Sequence, residues 1–357
     1  MTTSQFCPVS RDLGRRPEEL LPAIPYLLGY QPADSLVCLF FDQHDQMRLS
    51  SRVDWDTCLA APDDVADVLA QRGFNCDAVS VLVAAVDVVQ RDDRTLQALS
   101  AHFATAGLTV GWVGECAGTT WRGLDCSDTC GVHLLDPHCV TVVGLIADGN
   151  APAPDRQTVV AEVAPAANPL PDLRLANRPA DGGPPLELWR DETIEDCMEL
   201  LRAHRLPTDR DVAVLAAACC DTRARDVVLW RLTVGQDTVS VMSGRTWEVL
   251  STTLQRAPAE AVAPVAAVAG LVAWQMGEGT RAMACLNRAY DADPTHSLAS
   301  LVFRCVDAAQ PPSVWWQVMA SLDESTCRHG SSAEYVDAAA GLGDAAETPP
   351  GPFDPYD

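Results

Sequence analysis

Between Ser35 and Val113 the sequence alternates short, unbroken apolar runs with segments of about a dozen residues in helical pattern, and few folds accommodate that rhythm. Ser35 to Phe41 is a run of strand formers, and Met47 to Val53 reads as its partner across the polar turn Asp42 to Gln46. Pro62-Asp63-Asp64 then opens a helix, with proline in the first turn and acids at the positive end of the dipole, and the pattern carries it to a stop at Gly73. Ala78 to Val86 is the next strand, Asp92 to Ala106 a helix closed by Gly107, and Leu108 to Val113 a further strand. Strands separated by helices predict an α/β fold: a mixed, mostly parallel sheet with flanking helices.

Pro17-Glu18-Glu19 begins an earlier helix that Gly29 ends, which places the α/β domain at residues 15–150. Residues 151–185 are rich in proline, alanine and glycine and read as a connector. Beyond them the period is helical throughout, predicting an all-α domain at residues 186–322. Within it Gly270, Gly277, Ala282, Leu286, Ala289 and Pro294 follow the small, large and proline spacing of a tetratricopeptide-like hairpin. The match is single, whereas stable arrays stack about three copies. Residues 323–357 form the tail; from Gly330 on it carries six acids and no arginine, the composition of a disordered, solvating segment.

Composition excludes several chemistries. All 25 basic residues are arginine. A phosphate-binding loop, a protein kinase, a pyridoxal enzyme or a Schiff-base aldolase in its usual form needs a lysine. A formal charge of −24 repels phosphate backbones, and no basic run is longer than Arg15-Arg16, so nucleic acid is not an expected partner. The longest apolar stretch, Val262 to Met276, falls short of the roughly 18 to 20 residues that span a bilayer, so no membrane is expected either. Met1 to Arg16 lacks the pattern of a secretory signal, which predicts a cytoplasmic protein whose 14 scattered cysteines are mainly free, well-packing thiols.

Two constellations could carry chemistry. The first is the turn Gln31 to Ser35 with Arg52 and Asp54 on the partner strand, making Asp34, Ser35, Arg52 and Asp54 the catalytic or ligand-binding candidates. In α/β sheets ligands sit beyond the carboxyl ends of strands, whereas Asp34 and Ser35 precede theirs, which favours a structural role in the turn. The second is Cys126, Cys130, His133, His138 and Cys139, with Cys116 upstream. Thiolates and imidazoles suit zinc, so Cys126, Cys130, His133 and Cys139 are candidate metal ligands, although the paired knuckles of a zinc ribbon are missing. The alternatives are free cysteines beside the sheet, or a reactive thiol activated by a charge such as Arg122. No nucleophile elbow and no dinucleotide fingerprint is present, and the remaining histidines are isolated.

The stretch Leu21 to Val37, an apolar helix punctuated by prolines and followed by Gly29-Tyr30-Gln31-Pro32-Ala33-Asp34-Ser35, resembles the start of the actinobacterial domain-of-unknown-function family 4192. Trp121-Arg122 and the cysteine turn resemble its middle, and Ala273-Trp274, Asp293-Pro294 and Ser297-Leu298-Ala299 its C-terminal part, so the likeness covers roughly residues 17 to 318. Asp34, Ser35, Arg52 and Asp54 match residues typical of that family, which supplies no role for them. The reading that follows is a noncatalytic module with no cofactor, binding an unknown protein partner or small ligand. The alternatives are an enzyme of hydrolase or transferase type with a site in the α/β domain, and a zinc-stabilised structural protein. Oligomeric state is not legible.

Overall fold

The computed structural model describes residues 17–124, 132–180, 182–203, 205–234 and 244–329. The acidic tail from Gly330 and the candidates Cys126 and Cys130 lie outside these described residues. Two compact units divide the chain at Val159/Val160, the second taking Val160–Val306 and resuming at Pro312.

In the first unit α1 (Pro17–Leu20) and α2 (Ile24–Leu28) lead to Gly29, whose φ of 79° ends the helix, and then to β1 (Ser35–Phe41) and β2 (Met47–Asp54). Asp42 builds their turn: its carboxylate accepts the amides of His44 (2.8 Å) and Gln46 (3.0 Å). Next come α3 (Trp55–Ala60), α4 (Pro62–Asn75), β3 (Ser80–Val86), α5 (Asp93–Ala106), β4 (Thr109–Ala117), β5 (Thr120–Gly123), β6 (His133–Leu134) and α6 (Val140–Ala147). The α5 ends obey local chemistry, with Asp92 capping the Arg94 amide and Gly107 closing the helix at φ 105°.

The strands form one six-stranded sheet in the order β2-β1-β3-β4-β5-β6. The sheet is mostly antiparallel, which corrects the mostly parallel expectation: among the described strands only β3 and β4 pair in parallel. The helical crossovers do join co-directional strands, β2 to β3 and β3 to β4. The hairpin, however, turns β1 against β2, and β1 then lies between β2 and β3, antiparallel to both. One inserted strand converts what would have been a parallel neighbourhood into two antiparallel pairs.

Because β1 and β3 are covered on both faces, every residue of each is buried. Leu36, Cys38 and Phe40 of β1 pack with Val81, Val83 and Ala85 against Leu69, Leu96, Leu99 and Phe103 of the α4–α5 layer. On the other face Val37, Leu39 and Phe41 meet Leu20, Leu21, Ile24 and Tyr30. The expected helix stop at Gly73 is instead a packing position inside α4: a Cβ there would lie 2.8 Å from the Phe40 ring.

The second unit is helical. Its elements include α7 (Arg156–Ala161, bridging the division), α8 (Pro184–Arg202), α9 (Asp209–Cys220), α10 (Thr222–Thr233), α11 (Gly244–Arg256), α12 (Val262–Gln275), α13 (Gly279–Ala292), α14 (Ser297–Asp307), α15 (Ser313–Ala320) and α16 (Glu324–His329). Thr208 and Asp211 form a reciprocal capping box at α9. Nearly all of α12 is buried, and with α13 it makes a close hairpin, Gly270 facing Leu286 where an added Cβ would touch at 3.0 Å. Among the described residues no helix is long and apolar enough to cross a membrane.

Candidate functional site

The reversal of β1 changes where Ser35 sits. Register pairs Ser35 with Asp54, the last residue of β2, and with Val86, the last of β3, while Val86 pairs with Cys116 near the end of β4. The amino end of β1 therefore lies at the carboxyl edge of β2, β3 and β4, so the position of Asp34 and Ser35 before their strand, which favoured a structural role, does not remove them from that edge.

The hairpin brings Ser35, Arg52 and Asp54 together. Arg52 donates from Nε to Ser35 Oγ at 2.8 Å, and from Nη2 to Asp54 Oδ1 at 2.5 Å and to the Ala33 carbonyl at 3.5 Å. Ser35 Oγ in turn donates to the Ala33 carbonyl at 2.6 Å, and the residue is fully buried. The proton of this hydroxyl is held by a carbonyl and its lone pair faces a guanidinium, so among the described residues it bonds no group that could take its proton, the activation a nucleophile needs.

Asp34 takes a different part. It stands at φ 44° and accepts the Val89 amide at 2.9 Å, while its own amide donates to the Asp87 carbonyl. Asp87, at φ 46°, repeats the device by accepting the Gly118 amide at 2.6 Å. Two aspartates in the left-handed region thus stitch the loops after β3 and β4 to the start of β1, a backbone arrangement that costs roughly 1–3 kcal/mol at each and is held by those amide bonds. Farther along the same edge Arg91 pairs with Glu115 at 3.2 Å, and Arg122 stands across from Glu115 on β5.

Tyr30 completes the corner. Its backbone bridges Ala153, and the Gln31 amide donates to the Ala153 carbonyl at 2.9 Å, bringing Arg156 to the same corner. The ring is buried, and burial pushes the hydroxyl above the usual phenol range while Arg52 and Arg156 pull it down and Asp54 raises it further. Sequence reasoning missed Tyr30 and Arg156; the Gly29-Tyr30 pair ahead of the turn was the available signal for the first. A crevice of about 10 Å³ lined by Leu20, Phe41, Ser80, Val81, Leu82 and Gly111 has room for about one water and lies at the opposite edge of the sheet, away from this group.

Of the metal candidates, His133 and Cys139 are described. The His133 ring stacks on Trp121 at 4.2 Å, and Trp121 meets Trp112 edge-on at 5.8 Å. Cys139 is the residue before α6 and contacts the Glu19 carbonyl with its sulfur at 3.7 Å. Among the described residues no group of three or more His, Cys, Asp or Glu could hold a metal ion. The described cysteines are free. Burial pushes Cys116 up to about 12 with Asp87 and Glu115 adding to it, the opposite of an activated thiol.

A polar group in the helical unit also escaped sequence reasoning. Glu162 accepts Trp247 Nε1 at 3.0 Å and Arg281 Nε at 2.8 Å, and its backbone carbonyl accepts Gln255 at 2.8 Å. Arg281 lies 5.3 Å over the Trp247 ring and 3.4 Å from Glu278, whose carboxyl is raised by burial despite Arg281. Arg288 donates to the Val163 carbonyl. The bonds from Trp247, Gln255, Arg281 and Arg288 all run from a helix to Glu162 or Val163, so the group works as a clasp holding that segment on α11 and α13.

Compared with protein-family models, residues 17–313 match the one described as a domain of unknown function, DUF4192. No curated protein matches the chain, and no solved structure does.

Proposed function

The chain belongs to the DUF4192 family, and from that premise we propose that it is a noncatalytic binding module whose α/β unit holds a small polar ligand at the carboxyl edge of its sheet. One observation carries this reading: the inverted β1 delivers Ser35, Arg52 and Asp54 to that edge, with the side chains of Arg52 and Asp54 20% and 39% exposed and so within reach of a ligand. The hydrolase or transferase alternative is less well supported, because among the described residues Ser35 bonds a carbonyl and a guanidinium but no base, and Asp34 is engaged by a backbone amide. Zinc as a structural element rests on Cys126 and Cys130, and metal analysis of the purified protein tests it. A cytoplasmic location remains part of the proposal. The test of the main reading is a thermal-shift screen of small neutral, anionic and cationic metabolites against wild type and Arg52→Gln. A shift that needs Arg52 is expected; a ligand that stabilises both proteins equally would place binding elsewhere and overturn the reading.

A protein-interaction role is favoured by a separate observation. Val140, Val143 and Ile146, on one side of α6, are 84%, 51% and 52% exposed, and Leu134 of β6 is 76% exposed. Its test is whether a partner defined by cross-linking is lost on Val143→Asp. The α12–α13 hairpin, proposed to be tetratricopeptide-like, offers the other surface for such a role.

A further inference from the structure

We infer that the corner formed by Tyr30, Arg52 and Arg156 recognises an oxyanion, the phosphate or carboxylate group of the ligand; the inference rests on the binding reading above and names its ligand class. Three features of the corner point to it. Arg52 is fixed by Ser35, Ala33 and Asp54 through Nε and Nη2, which leaves Nη1 with no hydrogen bond among the described residues. A guanidinium already oriented by its other nitrogens loses little freedom when it accepts a ligand, which is the condition for a useful anion contact. Arg156 is exposed and has no ion-pair or hydrogen-bond partner among the described residues, whereas most of the arginines among them are paired.

Tyr30 supplies the third feature. Its residue is only 4% exposed, its ring is held in the core, and its hydroxyl has no hydrogen-bond partner among the described residues. A neutral hydroxyl is a donor as well as an acceptor, and an oxyanion satisfies it as a donor. Its elevated titration keeps it neutral through the physiological range.

Charge decides between an anion and a cation here. Of the charged groups that act on the Tyr30 hydroxyl, Arg52 and Arg156 outnumber Asp54, and the neighbouring Asp155 carboxylate is taken up by the Thr158 amide and hydroxyl. The chain as a whole carries −24, which opposes an anion at long range. At physiological salt the Debye length is about 8 Å, so that remote charge is largely screened, whereas a guanidinium that hydrogen-bonds an anion directly is not. A cation would meet two like charges and one carboxylate already bound to Arg52.

The experiment titrates the full chain with sodium phosphate, sodium acetate and sodium chloride at matched ionic strength, by calorimetry and thermal shift, with glucose as a neutral probe. Phosphate or acetate is expected to bind and stabilise beyond chloride, and comparing those two arms separates a tetrahedral from a planar anion site. Arg156→Gln should weaken binding by about tenfold and Tyr30→Phe by about threefold to fivefold, as expected for a charge-assisted and a neutral hydrogen bond. Both changes leave the Ser35–Arg52 contact in place, so a loss of binding would not be a loss of fold, and unchanged melting without ligand verifies this. Equal effects of phosphate, acetate and chloride overturn the inference, as does undiminished binding in both variants. If a neutral or cationic metabolite binds through Arg52 while both oxyanions fail, the oxyanion class falls and the binding reading stands; if none binds, both fall.

Discussion

Replacing Gly73 by alanine sets two well-measured effects against each other. Gly73 lies within α4, where glycine to alanine ordinarily stabilises a helix by up to about 1 kcal/mol, partly by restricting the unfolded chain. The new Cβ, however, would stand 2.8 Å and 2.9 Å from Cδ1 and Cε1 of Phe40. That ring cannot swing aside freely, since Phe40 is fully buried and meets Phe103 edge-on at 6.3 Å. Overpacking of this kind costs about 1–3 kcal/mol, so the net expectation is a loss of roughly 1–2 kcal/mol in a position where helix propensity alone predicts a gain. With a urea slope of roughly 2–3 kcal/mol/M, the midpoint of the transition should fall by about 0.3 to 1 M. Far-ultraviolet circular dichroism reports the midpoint, and hydrogen exchange at β1 amides assigns the loss to the α/β unit. The double variant Gly73→Ala/Phe40→Leu should recover part of the loss relative to Phe40→Leu alone, because the shortened side chain vacates the space. A Gly73→Ala protein as stable as wild type or more so would refute the argument that Phe40 sets the identity of this residue.

The remaining expectations concern other parts of the molecule. Ser35 should not be labelled by a fluorophosphonate reagent, and mass spectrometric recovery of a Ser35 adduct would revive the nucleophile reading. Ser35→Ala should lower stability by about 1–2 kcal/mol through the stranded Arg52 Nε, read by chemical denaturation. Asp221, buried as the cap of α10, is opposed by desolvation, yet Arg190 and the Ala224 amide hold its carboxyl below the usual range. A depressed folded value means its contribution is complete above the unfolded pKa near 4 and is lost as pH falls through the folded one, so Asp221→Asn should flatten the stability profile below about pH 4. An unchanged acid limb would count against it. Among the described cysteines, iodoacetamide should reach the exposed Cys220 first, slowly because partial desolvation by the surrounding chain raises its thiol to about 11; Cys58 and Cys116 should react only on unfolding. Rapid native labelling of either buried thiol, seen by peptide mapping, would contradict the packing.

Element by element, the apolar runs and caps of the α/β unit were readable because burial on two faces leaves no polar residue in β1 or β3 except Ser35 and Ser80. Strand direction was not readable from the same runs. A run that is apolar throughout carries no period and therefore no sense of which neighbour it joins. The parallel expectation came from counting crossovers, and the hairpin that inverts β1 defeated it. Ser35, Arg52 and Asp54 could be grouped in advance because a short hairpin fixes their register. Tyr30 and Arg156 meet through a bridge to Ala153, and Glu162 meets Arg281 across more than a hundred residues of chain; long-range meetings of this kind leave no local spacing to detect.

The inverted strand also has a consequence for synthesis. Once β1 and β2 have emerged, the hairpin satisfies one flank of a seven-residue strand that is apolar after Ser35, while the other flank waits for Ser80–Val86 and the helices between. Throughout that interval a strand that ends up inside the sheet is an open edge. Such an edge templates association with other chains and is what a nascent-chain chaperone must cover. Slowing translation between Asp54 and Ser80 should therefore raise aggregation more than slowing it after Val86, when the strand already has both its neighbours.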